Sequence, residues 1–367
     1  MMRITDLDTP SLIIRKDLFE ENLALMRDTA MARGKQLRPH AKTHKCPEIA
    51  KRQLAAGNCA GICAAKLSEA IGLADAGIDD ILITSPIALP AKRSSLARLN
   101  AKASSLAVVV DSDESVVLAD AAAVESGRPL RVLVDVDPEM GRTGVPFAEA
   151  ADFAERVAAF PHLELVGVQC YAGHLQHVAD ASARYGESRR LMSAGAAVFK
   201  AIRAKHPACR IFTGTGTGTS AGDLDVPELT DIQVGSYCLM DAEYMGACGD
   251  AVPFKPALRI LSSVVSANHA GMATIDAGTK AIYVTPAAPP IRIDGLRLMP
   301  EWKYDWSFGD EHGRLTFPKD QSLRPGDRVE LVVSHCDPTI NLADKFYLVE
   351  NEEVIDCWPI SLRGCCQ

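Results

Sequence analysis

Residues 106–138, LAVVVDSDESVVLADAAAVESGRPLRVLVDVDP, contain the pattern that decides the fold. A β-rich run at 106–112 is followed by a helical segment at 114–125 and then by a second β-rich run at 131–138. Two strands joined through a helix run parallel in one sheet, because the helix carries the chain back to the starting end. This stretch therefore predicts one strand-helix-strand unit.

The same alternation continues in both directions along the chain. Further β-rich runs are predicted at 37–42, 61–66, 80–86, 164–172, 210–216 and 231–237. Further helical segments are predicted near 17–33, 46–56, 67–76, 90–100, 148–159 and 184–205. Eight strands separated mostly by helices favour an α/β fold of the (β/α)8 TIM-like barrel type, although strand counting alone also allows a doubly wound sheet.

The residue pattern of the sequence changes beyond about residue 245. Helical periodicity disappears, and short strand-like runs follow that are interrupted by Pro, Gly and Asp. This pattern predicts a C-terminal all-β domain. The first strand, at 11–15, precedes the first helix, and we expect it to pair with that domain. The predicted division is a barrel at 17–244 and a β-domain formed by 1–16 and 245–367.

Composition narrows the functional class. The chain has 367 residues, a formal net charge of −8 and an isoelectric point near 5.6, without a basic stripe, which argues against nucleic-acid binding. An 18-residue apolar run is absent from the sequence, so we predict no membrane span and a cytoplasmic protein. The eleven cysteines are scattered, and free thiols are the better interpretation.

Lys42 lies in the run 38-RPHAKTHK-45, at the end of the first predicted barrel strand. Active sites of such barrels lie at the carboxyl ends of the strands, so Lys42 should point into the catalytic mouth. Neighbouring positive charge favours the free amine that a Schiff base requires. The alternative is that Lys42 and Lys45 are solvated residues of a loop; the strand position favours Lys42.

Glycine-rich and hydroxyl-rich loops follow the last two barrel strands, at 213-TGTGTGTSAG-222 and 234-VGSY-237. Barrels commonly bind phosphate with these two loops, because backbone N–H groups and hydroxyls converge there. A flexible turn would explain the glycines equally well. Together with Lys42, the loops are consistent with an aldehyde cofactor that carries a phosphate.

The segment 334-SHCDPT-339 in the β-domain offers a metal site. If it is a strand, alternation places His335 and Asp337 on one face and Cys336 on the other, so that the first two can chelate one divalent metal. Two protein ligands leave open positions for substrate oxygens, as a catalytic site requires. The alternative is a loop histidine hydrogen-bonded to an aspartate.

Six separated motifs carry a family resemblance: PHAKTHK, MGRTG, YxGH, the Gly/Thr loop, QVGSY and SHCDPT. Their order resembles that of the D-threonine aldolase and D-serine dehydratase-like family of fold-type III pyridoxal 5′-phosphate (PLP) enzymes. The resemblance spans about residues 8–360. It implies an alanine-racemase-like barrel with a C-terminal β-domain, PLP as the cofactor and a homodimeric assembly.

The same resemblance assigns roles to individual residues. Lys42 looks like the Schiff-base lysine, and His335 and Asp337 look like the metal ligands, with Lys42 and His335 as the catalytic residues. Arg142 is expected near the cofactor phenolate. The predicted cofactor-binding residues are Lys42, Arg142, Tyr171, Tyr185, Thr217, Gly218, Thr219, Gly235 and Ser236, of which the last five would hold the phosphate.

The metal motif also separates activities within the family. Dehydratases carry His-x-Cys there and aldolases carry His-x-Asp, so this chain resembles an aldolase that cleaves D-threonine or D-3-hydroxyaspartate to glycine and an aldehyde. A D-serine or 3-hydroxyaspartate dehydratase, which forms a 2-oxo acid and ammonia, is the alternative, and an amino-acid racemase is a third. Imidazole and carboxylate donors suit Mg2+ or Mn2+. The expected partner is a small amino acid, not nucleic acid or a membrane.

Overall fold

The computed structural model describes residues 2–307 and 309–367, which fall into two compact units. The barrel unit comprises Met26–Lys42, Pro47–Gly235 and Cys365–Gln367, and the β unit comprises Met1–Leu25, Thr43–Cys46 and Ser236–Gly364. The domain boundaries proposed from sequence, at 16/17 and 244/245, lie near the unit boundaries at 25/26 and 235/236 and remain a proposal.

Eight parallel strands form the barrel unit. They are β2 (Gln36–Leu37), β3 (Ile62–Ala64), β4 (Asp80–Ile83), β5 (Ser105–Val110), β6 (Leu130–Val136), β7 (Leu163–Cys170), β8 (Ile211–Gly214) and β9 (Asp231–Ile232). The hydrogen-bonded order is β2-β9-β8-β7-β6-β5-β4-β3. Parallel bridges from Leu37 to Cys59 and from His40 to Cys63 join the two ends of this sheet. The predicted TIM-like barrel is confirmed.

Helices separate most of these strands. They are α1 (Lys16–Met31), α2 (Pro47–Ala56), α3 (Leu67–Asp75), α4 (Arg93–Lys102), α5 (Asp113–Ser126), α6 (Ala150–Ala158), α7 (Ala181–Lys205) and α8 (Ser220–Asp223). The unit at 106–138 shows why they form: Ser112 caps the first turn of α5, and Gly127 ends the helix at φ 69°. Strands β5 and β6 are buried along nearly their whole length, as expected where helices cover a parallel sheet.

The β unit is built mostly on antiparallel strand pairs, with β-strand 11–15 parallel to strand 345–350. Its strands are β1 (Ser11–Arg15), β10 (Leu258–His269), β11 (Met272–Ile275), β12 (Ile291–Asp294), β13 (Arg297–Leu298), β14 (Lys303–Asp305), β15 (Gly313–Thr316), β16 (Arg328–Val332), β17 (Lys345–Glu350) and β18 (Glu353–Pro359). Two short helices accompany them, α9 (Ala242–Cys248) and α10 (Cys336–Ile340). Strand β1 pairs with β10 and β17, which confirms that the N-terminal strand belongs to this sheet.

All eleven cysteines are free thiols, as predicted. Within the part of the chain that the structure describes, no helix combines the length and the apolar character needed to cross a membrane.

Candidate functional site

Lys42 leaves the barrel at the carboxyl end of β2. The parallel pairing continues beyond this strand, because the His40 N–H donates to the Val234 carbonyl and the Ala41 N–H donates to the Cys63 carbonyl, each at 2.9 Å. Lys42 is half-buried, whereas Lys45 is buried and has a φ of 50°. Lys42 therefore lies at the carboxyl end of the barrel strands, where the active sites of such barrels lie.

The Gly/Thr loop after β8 is held in place by buried side chains. Gln176 Oε1 accepts the Gly218 N–H at 2.9 Å, and Gln176 Nε2 donates to Thr219 Oγ1 at 3.1 Å. Arg184 Nε donates to the Gly218 carbonyl at 2.8 Å. Thr217 and Thr219 are almost fully buried. The loop is therefore a packed element and not a flexible turn.

Glycine is required at position 218 by its surroundings. A Cβ atom there would lie 2.1 Å from the Gln176 carbonyl oxygen, a distance that only backbone movement could relieve. The Gly218 N–H already donates to Gln176. Gly218 would therefore contribute to a phosphate site by leaving room for the ligand, and not by donating a hydrogen bond to it. The predicted phosphate contacts on Thr217, Gly218, Thr219, Gly235 and Ser236 remain a proposal.

Two predicted cofactor residues meet after β6 and β7. The Arg142 guanidinium carbon lies 5.2 Å from the centroid of the Tyr171 ring, within reach of a cation–π contact. The Arg142 loop is fixed because Asp137 accepts hydrogen bonds from the Met140 and Gly141 N–H groups. Tyr185 lies on α7, and its ring centroid is 4.9 Å from the Arg184 guanidinium carbon. Because Arg184 donates to the Gly218 carbonyl, the Tyr185 side chain packs near the Gly/Thr loop.

A buried carboxylate underlies the Arg142 loop. Asp135 is 3% exposed and accepts hydrogen bonds from Gln169 Nε2 and from Thr143 Oγ1, each at 2.8 Å. Burial raises the pKa of Asp135 to about 6, and the two hydrogen bonds oppose this shift. Sequence analysis did not single out Asp135, because burial depends on the whole barrel.

In the β unit, His335 is held by a carboxylate that the sequence analysis missed. His335 Nδ1 lies 2.9 Å from Asp241 Oδ2 and 3.3 Å from Glu243 Oε2. Burial opposes the charged form of His335, yet the hydrogen bond to Asp241 and the neighbouring carboxylates raise the pKa of this imidazole. Asp241 caps α9 by accepting the Tyr244 N–H, a local pattern that the sequence could have revealed.

The prediction that residues 334–339 form a strand is wrong. Strand β16 ends at Val332, and His335 is the residue that precedes helix α10. The first helical turn nevertheless brings His335 Nε2 within 3.8 Å of Asp337 Oδ2. Cys336 points elsewhere, since its buried Sγ lies 3.4 Å from the Met240 carbonyl oxygen, and burial raises the pKa of this thiol.

These donors fit a divalent metal with few protein ligands. Among the described residues, no group of three or more His, Cys, Asp or Glu side chains is arranged to hold a metal ion. An imidazole nitrogen and a carboxylate oxygen separated by 3.8 Å can approach one cation after a small side-chain adjustment. Similarly, a lysine at the barrel mouth and an ordered Gly/Thr loop are groups that suit PLP.

The comparison with family models fits this architecture. Residues 14–242 match the alanine racemase N-terminal domain, and residues 257–349 match a putative serine dehydratase domain. The chain belongs to this alanine-racemase-like family, among its PLP-dependent lyases.

Particular relatives lie close in sequence and structure. The chain is 34% identical to a 3-hydroxy-D-aspartate aldolase of Paracoccus denitrificans (strain Pd 1222), over 98% of this chain and 93% of the relative. It is 37% identical to a D-threonine aldolase of an Arthrobacter species, over 97% and 93%. The structure of D-threonine aldolase from Filomicrobium marinum is 34% identical, covers 100% of this chain and 98% of its own, and superposes with a TM-score of 0.93.

Proposed function

We propose that this protein is a PLP-dependent and divalent-metal-dependent aldolase that cleaves D-β-hydroxy amino acids, with D-threonine and D-3-hydroxyaspartate as the candidate substrates. The observation that carries the proposal is the position of Asp337 beside His335 while Cys336 is turned to a backbone carbonyl. A hard metal needs oxygen and nitrogen donors, and this pair supplies them. Relatives named as aldolases agree with the proposal.

Each group has a defined task in this reaction. PLP, when bound, supplies an electron sink for the electron pair left on Cα as the Cα–Cβ bond breaks. A divalent metal, when bound, would supply positive charge that favours loss of the β-hydroxyl proton to water, so that Cβ can leave as an aldehyde. Lys42 would hold the cofactor aldehyde when no substrate is bound, and as a free ammonium group it can deliver a proton to Cα.

The remaining assignments follow from the chemistry of the donors. His335 and Asp337 would hold the metal, and Mg2+ or Mn2+ suits them better than a thiophilic metal. Arg142, Tyr171 and Tyr185 would contact the cofactor. A homodimer is a further proposal that rests on the family resemblance, and a cytoplasmic location is one that rests on the free thiols.

A dehydratase is the second candidate, favoured by the match of residues 257–349 to a putative serine dehydratase domain. In that reaction Lys42 would remove the α-proton, the β-hydroxyl would leave, and the products would be a 2-oxo acid and ammonia. The same lysine and the same metal ligands could serve it. The two proposals differ in the bonds that break: Cα–Cβ in the aldolase, and Cα–H and Cβ–O in the dehydratase.

Product analysis tests the proposal. The purified, PLP-loaded protein would be given D-threonine and D-3-hydroxyaspartate separately, with Mn2+ or with EDTA. Glycine and an aldehyde that appear only with Mn2+ would support the aldolase. Ammonia and a 2-oxo acid would instead make the protein a dehydratase.

A further inference from the structure

Asp241 has a buried carboxylate, and its two oxygens have different hydrogen-bond partners. Its side chain is fully buried. Oδ1 accepts the Tyr244 N–H at 2.9 Å, which caps helix α9. Oδ2 accepts the Cys336 N–H at 2.9 Å and lies 2.9 Å from His335 Nδ1. The second oxygen therefore contacts both the backbone and the side chain of the segment that carries the metal motif.

The hydrogen bond to Asp241 fixes which nitrogen of His335 can bind a metal. An ionised carboxylate only accepts hydrogen bonds, so Nδ1 must carry the proton in this contact. The lone pair of the neutral imidazole is then on Nε2, the nitrogen that lies 3.8 Å from Asp337 Oδ2. A carboxylate that holds the other nitrogen of a metal-binding histidine sets both its tautomer and the orientation of its ring.

The backbone around this contact is also fixed. The Ala242 N–H donates to the Val333 carbonyl and the Glu243 N–H donates to the Ser334 carbonyl, each at 3.0 Å. The start of α9 is therefore pinned to the residues just before His335. These bonds hold the backbone of Asp241 beside the backbone that leads into His335.

We propose that Asp241 is a positioning residue that presents His335 Nε2 to a divalent cation. The inference rests on the proposed function, because it takes His335 and Asp337 as the metal ligands. Asp241 itself does not touch the cation. Its contribution is to exclude the tautomer in which Nε2 carries the proton, and to hold the ring toward Asp337.

Asp241→Asn is the sharpest substitution, because the side chain keeps its shape. An amide that offers its NH2 group to His335 Nδ1 stabilises the wrong tautomer, and an amide turned the other way loses the cap on the Tyr244 N–H. Glu243→Gln is the matched control. It removes one negative charge 3.3 Å from the same nitrogen but leaves the Asp241 bonds intact.

The readout is metal affinity, measured by titration calorimetry of the metal-stripped, PLP-loaded protein with Mn2+. We expect Asp241→Asn to weaken Mn2+ binding by about 10–100-fold and Glu243→Gln to change it by less than about threefold. Bound Co2+ should show an altered visible spectrum in Asp241→Asn, whereas PLP affinity stays as in the wild type. Asp180→Ala, which removes the capping side chain of α7, controls for the loss of a helix cap.

The opposite results would overturn the inference. Mn2+ affinity and a Co2+ spectrum unchanged in a folded Asp241→Asn protein would leave Asp241 as a helix cap only. Should that variant not fold, nitrogen NMR of the wild-type protein decides, at a pH high enough for the metal-stripped His335 imidazole to be neutral: we expect its single proton on Nδ1, and a neutral imidazole with its proton on Nε2 contradicts the proposal. If His335→Ala binds Mn2+ like the wild type, the metal assignment itself fails, which is a separate result.

Discussion

Gln176 Oε1 accepts the Gly218 N–H at 2.9 Å, which joins the segment after β7 to the Gly/Thr loop after β8. The same side chain donates to Thr219 Oγ1 and to the Ala172 carbonyl, so its polar atoms are paired on both loops. The loop is therefore shaped before a ligand arrives. Preorganisation of this kind reduces the entropy lost on binding.

Gly218→Ala should weaken PLP binding, because the new Cβ would lie 2.1 Å from the Gln176 backbone oxygen and the loop would have to move. We expect an affinity loss of about tenfold or more, with destabilisation of about 1–3 kcal/mol. PLP titration followed by absorbance measures the first effect. Gly186→Ala is the control, since that helix position has open space, and it should leave PLP affinity unchanged. Equal PLP affinity in both variants would contradict a packed loop.

The buried Asp135 should make stability depend on pH. Its folded-state pKa of about 6 exceeds the ordinary aspartate value, so the folded protein holds the proton more tightly than the unfolded chain. The contribution of Asp135 to the free energy of unfolding is therefore fully present below about pH 4 and is lost as the pH rises through about 6. This loss is on the order of 3 kcal/mol. Asp135→Asn should flatten the unfolding free energy between pH 4 and 6, measured by urea titration. A variant that keeps the wild-type slope would exclude Asp135 as the cause.

Lys42 and Lys45 can be separated by paired substitutions. Lys42→Arg keeps the positive charge but removes the primary amine, so the protein should lose the visible absorbance of the Schiff base and its activity. Lys45→Arg should retain both. Borohydride reduction followed by peptide mapping should place the cofactor on Lys42 in the wild type. A label on Lys45 would reverse the assignment.

Asp337 and its neighbour Cys336 offer a second paired test. Asp337→Ala should weaken Mn2+ binding by at least about 100-fold, because losing a ligand costs no less than losing its supporting partner. Cys336→Ala should bind Mn2+ normally, since its Sγ faces the Met240 carbonyl, and should only lose some stability through the cavity it creates. Calorimetric titration with Mn2+ compares them. If Cys336→Ala weakens Mn2+ binding more than Asp337→Ala does, the result would indicate a thiolate ligand and favour the dehydratase.

Sequence reasoning located the barrel because each strand and helix leaves a local periodic pattern. The run at 131–138 became β6 at Leu130–Val136, and the segment at 184–205 became α7 at Ala181–Lys205. It failed at 334–339, where alternation suggested a strand, whereas the chain turns into helix α10 after His335. His335 and Asp337 are nevertheless close, because His335 precedes the helix in an extended conformation and its side chain lies beside the first helical turn, which carries Asp337.

Other features of the site could not be predicted from local pattern. Asp241 lies 94 residues before His335 in the chain, so its hydrogen bond depends on how α9 packs against the segment after β16. The Asp241–Tyr244 cap is visible in sequence, but the use of the second carboxylate oxygen is not. Likewise, Gln176 and Arg184 support the Gly/Thr loop through contacts that span 34 to 42 residues.

One measurement tests the central claim most directly: D-threonine deuterated at Cα is given to the PLP-loaded, Mn2+-loaded protein, and the products are analysed by mass spectrometry at early times. An aldolase breaks the Cα–Cβ bond and leaves the Cα–deuterium bond intact, so the account predicts acetaldehyde and glycine that carries one deuterium. A 2-oxo acid with ammonia, or threonine that exchanges its deuterium with solvent without cleavage, would contradict the aldolase assignment.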